Sequence, residues 1–121
     1  MLAPGLVGNR TMRVTDSDTA SAVGSGEVQV LATPRVLALA EAATVAALAG
    51  ALPDGSTSVG TRVELDHLAP SPVGAEVEAT AELVEVAGRR LTFSVSVTQE
   101  GREVARGRIT RAVVDRARFP G

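Results

Sequence analysis

The sequence predicts an α+β fold in which one long helix packs against a curved antiparallel sheet of about five strands. One segment is rich in Ala and Leu and has the length of a helix. Four later segments alternate apolar and polar residues with a period of two, and one short alternating segment precedes the helix. The 121 residues are enough for one core, so we expect a single domain over residues 1–121.

The first part of the chain is expected to be mostly irregular. Gly and Pro punctuate residues 1–9, and residues 10–15 alternate enough to form a short first strand. Residues 16–26 are rich in Ser, Asp, Thr and Gly, and we expect a loop that forms a lid or an entrance. Residues 116–121 at the other end are also expected to be irregular.

The long helix is predicted to run from Thr33 to about Ala49. A threonine side chain suits the N-cap, and Pro34 suits the first helical position. Gly50 and Pro53 supply the stop signal.

Four strands are predicted after the helix, at residues 57–69, 75–87, 89–99 and 102–115. Short hairpin-type connections around Gly88 and Gly101 join the last three. We therefore expect a four-stranded antiparallel meander that cradles the helix.

Composition excludes several classes of protein. Hydrophobic residues make up 45% of the chain and aromatic residues only 2%, so Ala, Val and Leu must form the core. A mean hydropathy of +0.18 on so short a chain favours a homodimer or a higher homo-oligomer. A net charge of −2 argues against a partner that is a nucleic acid or an anionic membrane. All twelve basic residues are Arg, and the six in the last 20 residues are candidates for phosphate contacts.

The absence of Cys excludes thiolate catalysis and Cys-based zinc sites, and a single His excludes a His-rich metal site. We expect neither a metal nor a cofactor. The N-terminus does not resemble a signal peptide, and no segment has the roughly 18 uninterrupted apolar residues of a membrane span. The expected location is the cytoplasm.

Glu41 is the first candidate catalytic residue. It has helical spacing with Leu37, Thr44 and Leu48, a stripe that would face the sheet, and its sequence neighbours offer no cation. A buried carboxylate without a partner is suited to act as a base or a nucleophile. The alternative is that Glu41 lies at the edge of the stripe and reaches water.

His67 is the only histidine, and it shares a predicted strand face with Val63 and Leu65. A lone histidine on such a face is most often a packed core residue. The functional interpretation is that His67 faces Glu41 across the contact between helix and sheet and shares a proton with it.

Thr33 and Glu41 are eight residues apart, roughly 12 Å along a helix axis. They cannot readily touch the same carbonyl within one subunit, so a two-fold dimer is the simplest way to combine them. A capping role alone would also explain Thr33, although a helix N-terminus can stabilise an oxyanion. Gly60 interrupts a strand pattern and marks either a bulge or the close approach of a ligand or backbone.

From Leu31 to about Phe119 the chain resembles the fluoroacetyl-CoA thioesterase family of the hotdog-fold superfamily. Several spacings agree together, which is more specific than any single motif. The matching elements are Ala32-Thr33, Glu41, Gly60, His67, Pro72-Val73-Gly74, Thr80-Ala81-Glu82-Leu83, Glu85-Val86-Ala87-Gly88-Arg89-Arg90-Leu91 and Arg111-Ala112-Val113-Val114.

The resemblance implies a homodimeric hotdog enzyme that hydrolyses an acyl-CoA thioester to free acid and CoA near the subunit interface. It carries catalytic roles to Thr33, Glu41 and His67, and we assign substrate binding to Gly60 and Arg111. Whether Glu41 attacks the carbonyl or activates water stays open. The spacing disfavours Thr33 as the nucleophile unless His67 bridges Thr33 and Glu41.

One segment departs from the family pattern. The fluoroacetate-specific enzyme has phenylalanines before the threonine that form a gate, whereas residues 24–30 here contain no aromatic residue. A different or more generic acyl group is therefore expected. Two alternatives remain, a non-catalytic module that binds acyl-CoA or another small ligand, and a purely structural dimerisation domain.

Overall fold

The computed structural model describes residues 2–119 and has the predicted α+β architecture. The two helices are α1 (Ala20–Val23) and α2 (Thr33–Ala47). The five strands are β1 (Val7–Arg13), β2 (Ser56–His67), β3 (Glu76–Ala87), β4 (Arg90–Gln99) and β5 (Arg102–Asp115). Short 3-10 turns lie at Asp16–Asp18 and Arg116–Arg118. No helix within residues 2–119 is long and apolar enough to cross a membrane.

The strands form one antiparallel sheet in the order β1-β3-β4-β5-β2. The predicted hairpins between β3, β4 and β5 are present. The predicted four-stranded meander is wrong in one strand, because β2 pairs with β5 at the sheet edge and not with β3. Residues 68–75 contain Pro70 and Pro72, which cannot donate to a strand ladder, and this segment leads the chain away from β2.

The core lies between the inner face of the sheet and one face of α2. The helix packs mainly against β1 and β3. Small residues allow this close contact: a Cβ atom on Gly8 of β1 would collide with the backbone of Ala43 and Ala47. The largest fully buried side chains include Phe93, Leu31, Leu83, Leu91 and Ile109.

Several boundaries differ from the predicted ones. Residues 7–9, predicted to be irregular, belong to β1, because Val7 pairs with Glu82 of β3. The predicted loop over residues 16–26 contains a 3-10 turn and α1, whose N-terminus is capped by the Thr19 hydroxyl. At the predicted irregular ends, residues 116–118 form a 3-10 turn, while residues 1, 120 and 121 lie outside the described part of the chain.

Candidate active site

The fold brings the five predicted site residues together as two groups. Thr33, at the start of α2, contacts His67, at the end of β2. Glu41, in the middle of α2, lies against Gly60 of β2 and Arg111 of β5. Both groups therefore depend on how β2 is placed relative to α2.

The Thr33 hydroxyl lies 2.8 Å from Nδ1 of His67, a hydrogen-bond distance. The prediction that Thr33 caps the helix is wrong, because Ala32 is the N-cap residue and Thr33 is already helical. The amide of Ala32 donates to the Asp18 carbonyl, and its own carbonyl accepts from Val36. Since the backbone alone fixes this helix start, the Thr33 side chain is free to orient the imidazole.

The second ring nitrogen of His67 has an unusual environment. Nε2 is buried and has no hydrogen-bond partner among the described residues. Burial lowers the pKa of the His67 imidazole below 6.5, and the backbone of Ala69 opposes this shift. The ring is therefore neutral near pH 7, and Nε2 can accept or donate a proton according to its tautomer.

Thr33 and His67 line an open cleft of about 250 Å³. The segment that was expected to form a lid or an entrance contributes Ala20 and Ser25 to its wall. The other wall residues are Val30, Leu31, Leu68, Ala69 and Pro70. Most of this wall is apolar, so a ligand in the cleft meets few polar groups besides the hydroxyls and the imidazole.

Glu41 has a cationic partner, contrary to the expectation from its sequence neighbours. Its Oε2 lies 3.6 Å from Nη1 of Arg111, which comes from the distant strand β5. The Arg111 side chain is 8% exposed, whereas that of Glu41 is 38% exposed. Glu41 is thus partly accessible to a ligand, and the buried guanidinium of Arg111 contacts its carboxylate on the protein side.

Ser58 holds the other side of the guanidinium. Nε of Arg111 donates to Ser58 Oγ at 2.9 Å, and Nη2 donates to the Ser58 carbonyl at 3.0 Å. Burial lowers the pKa of Arg111 from its ordinary value, and the charge of Glu41 opposes the shift. Arginine nevertheless stays charged in proteins. Sequence reasoning missed Ser58, because only the register between β2 and β5 brings it to Arg111.

Gly60 has the bulge that the sequence allowed, and the group that approaches it closely is a side chain rather than a ligand or a backbone. The register between β2 and β5 shifts between Gly60 and Arg62, which is a bulge. A Cβ atom at Gly60 would also lie 2.7 Å from Oε2 of Glu41. The glycine therefore leaves room for the Glu41 carboxylate.

The predicted pairing of Glu41 with His67 does not occur within the described chain. No hydrogen bond or ion pair joins them, because Glu41 contacts Arg111 while His67 contacts Thr33. Thr33 and Glu41 are on one helix, separated by roughly 12 Å along its axis.

The sequence is similar to a known enzyme family along most of its length. The model of the fluoroacetyl-CoA-specific thioesterase family, FlK, matches residues 14–117. A fluoroacetyl-CoA thioesterase of Streptantibioticus cattleyicolor is 40% identical over 91 residues, which are 75% of this chain. The match spans 66% of that relative's length, slightly less than two thirds.

Solved structures confirm the hotdog fold. A structure of the fluoroacetyl-CoA thioesterase FlK has a TM-score of 0.89 at 33% identity, covering 98% of this chain and 93% of its own. A variant of FlK in complex with fluoroacetate and CoA has a TM-score of 0.90 at 31% identity, covering 98% and 100%. A thioesterase-superfamily protein of Thermus thermophilus has a TM-score of 0.90 at 25% identity, covering 98% and 88%. The resemblance seen in the sequence is confirmed, and this chain belongs to the fluoroacetyl-CoA-specific thioesterase family.

Proposed function

We propose that this chain hydrolyses an acyl-CoA thioester to a free acid and CoA. One observation carries the proposal: His67 is held by Thr33 beside an open cleft, and its Nε2 is buried without a partner in the described chain. A buried polar atom normally has a hydrogen-bond partner, so this atom marks a place for a substrate or a water molecule. Membership of the family supports a thioester as that substrate.

The reaction needs a group that attacks the carbonyl carbon and a proton for the leaving thiolate. Glu41 either attacks the carbon itself, followed by hydrolysis, or removes a proton from an attacking water. Neutral His67 takes up the proton that the attacking water releases, directly or through Glu41, and passes it to the thiolate set free when the C–S bond breaks. The net change adds the hydroxyl of water to the acyl carbon and its hydrogen to sulfur. Arg111 keeps Glu41 in place, and Gly60, which has no side chain, leaves room for the Glu41 carboxylate beside the substrate.

The two groups of residues are the reason to propose a homodimer. Strand β2 is an edge strand of 12 residues, and β5 is its one neighbour in the described sheet. Edge strands of this length readily pair with another chain, and Val63 on β2 is an exposed apolar residue. A two-fold axis beside β2 would bring Thr33 and His67 of one subunit toward Glu41 and Arg111 of the other.

The acyl group is proposed to differ from fluoroacetyl. Residues 24–30 lie beside the cleft and contain no aromatic side chain, and Val28 within them is 64% exposed. A gate of the kind that phenylalanines form is therefore missing. The substrate is accordingly an acyl-CoA without a requirement for fluorine. The predicted location of the protein remains the cytoplasm.

The direct test measures thiol release from acetyl-, butyryl-, hexanoyl- and benzoyl-CoA. Because the protein has no cysteine, a thiol reagent detects only the product. Loss of a general base lowers a rate by about 10²–10⁴-fold. We therefore expect Glu41→Ala and His67→Ala to release thiol more slowly by that factor while remaining folded. Glu85→Ala, at an exposed position on β3, is the matched control and should keep the native rate. Binding of acyl-CoA without any thiol release would instead support the non-catalytic binding module.

A further inference from the structure

A second cavity, of about 300 Å³, lies between the C-terminal end of α2 and the start of β2. Its apolar wall consists of Val45, Leu48, Ala49 and Leu52, and its polar wall consists of Ser56, Thr57, Ser58 and Arg116. Ser58 belongs to the wall contributed by β2. The proposed chemistry does not use this cavity, so its occupant has to be inferred from its position and lining.

The cavity lies next to the Glu41 and Arg111 group, which it meets at Ser58. Val45 follows Glu41 by four residues in α2, so both side chains lie on the same face of the helix, one turn apart. Ser58 is both a wall residue and the acceptor of the hydrogen bond from Nε of Arg111. A group that enters this cavity therefore starts beside the carboxylate that is proposed to act on the thioester.

The apolar wall and the size of the cavity are the arguments for the chemistry of the occupant. Val45 is 51% exposed although it is a β-branched apolar residue on the helix, and Leu48 is a buried residue of the same wall. Ligand cavities are typically about 300–1,000 Å³, so this one is at the small end of the range. Such a space suits a hydrocarbon chain rather than the large, polar CoA moiety. Burying the apolar wall against such a chain is favourable because both surfaces leave water.

We propose that this cavity binds the hydrocarbon tail of the acyl group, so that the substrate is a short- to medium-chain acyl-CoA. This inference rests on the proposed thioesterase function and adds the substrate class to it. Arg116 at the rim offers the main competing chemistry, because its guanidinium would favour an acyl chain that ends in a carboxylate.

The first experiment compares kcat/KM for acetyl-, butyryl- and hexanoyl-CoA. Each buried methylene is expected to raise kcat/KM about fourfold until the cavity is full. Ala49 is an exposed residue of the cavity wall, so Ala49→Phe should fill the space without disturbing the core. This variant should lose the gain with chain length. Ala87→Phe, at an exposed alanine on β3, is the control and should keep the gain.

Three results would overturn the assignment. These are a rate that does not depend on chain length, a gain that survives in Ala49→Phe, and faster turnover of adipoyl-CoA than of hexanoyl-CoA. Calorimetry with hexanoyl-CoA and acetyl-CoA on the Glu41→Ala variant separates binding from turnover. If Glu41→Ala binds hexanoyl-CoA more tightly than acetyl-CoA but the native protein hydrolyses neither, the thioesterase function is contradicted and the cavity assignment is supported. Equal binding of the two ligands would contradict the cavity.

Discussion

At the scale of single residues, the protonation state of His67 is expected to make kcat/KM depend on pH. Burial lowers the pKa of the imidazole below 6.5. If His67 acts in its neutral form, kcat/KM should be constant near pH 7 and should fall as the pH drops through a value below 6.5. A pH–rate profile measures this limb, and the limb should be missing from the residual activity of His67→Gln. An acid limb centred above 6.5 would contradict the assignment.

The same shift predicts the direction of an effect on stability. A histidine whose pKa is lower in the folded state binds protons more readily when the chain is unfolded. The contribution of His67 is therefore fully present above 6.5 and is lost as the pH falls below that value. Urea unfolding at a series of pH values should show a weaker acid destabilisation for His67→Gln than for the native chain.

Gly60 gives the sharpest prediction for the Glu41 group. A Cβ atom there would be 2.7 Å from Oε2 of Glu41, so Gly60→Ala must displace the carboxylate or the strand. A displacement of about 1 Å in an active site can cost about 10²-fold, and we expect a loss of that order in thiol release. Thermal unfolding should change little, because Gly60 is at an exposed position of an edge strand. Full activity in Gly60→Ala would show that Glu41 does not need its present position.

Sequence reasoning proposed Glu41 and His67 because each is an unusual residue type in its local pattern, and the family resemblance added a catalytic role for Thr33. It could not find the partners of these residues. Arg111 and Ser58 meet only through the register between β2 and β5, a long-range pairing that no local pattern encodes. The capping role predicted for Thr33 failed for a related reason, because Asp18 fixes the helix start from outside the helix.

At the scale of elements, the contact between β1 and α2 depends on Gly8. A side chain there would collide with the backbone of Ala43 and Ala47, which cannot move as a flexible side chain can. We expect Gly8→Ala to lower the free energy of unfolding by about 1–3 kcal/mol through overpacking, as measured by denaturant unfolding. Gly26→Ala is the control, because its Cβ would meet only the Cβ of Ala20, at 3.3 Å. Equal stability of the two variants would contradict the close contact.

The strands were predicted to within a few residues because alternation with a period of two is a local signal. The position of β2 was not predictable in this way, since its alternation fits either β3 or β5 as a neighbour. The long connection with Pro70 and Pro72 is the one feature of the sequence that argues against a hairpin. The edge position of β2 matters for function, because it leaves the strand beside both groups of site residues.

At the scale of the whole molecule, the central claim is that one active site combines groups from two subunits. Within a chain, Thr33 holds His67 and Arg111 holds Glu41, and the two pairs attach to α2 at points roughly 12 Å apart. Sequence spacing alone predicted that a dimer would be needed to combine them. The structure adds the edge strand β2, along which a second copy can pair.

Subunit complementation between the Glu41→Ala and His67→Ala variants tests this claim most directly. Each variant alone is expected to be nearly inactive. If the site is shared, a mixed dimer contains one intact site, and an equal mixture after subunit exchange should recover about a quarter of the native thiol release. Mixing either variant with the double variant, as a control, should recover nothing. Mixed dimers that form without recovering activity would contradict the shared site, and would place Glu41 and His67 of each site on one chain.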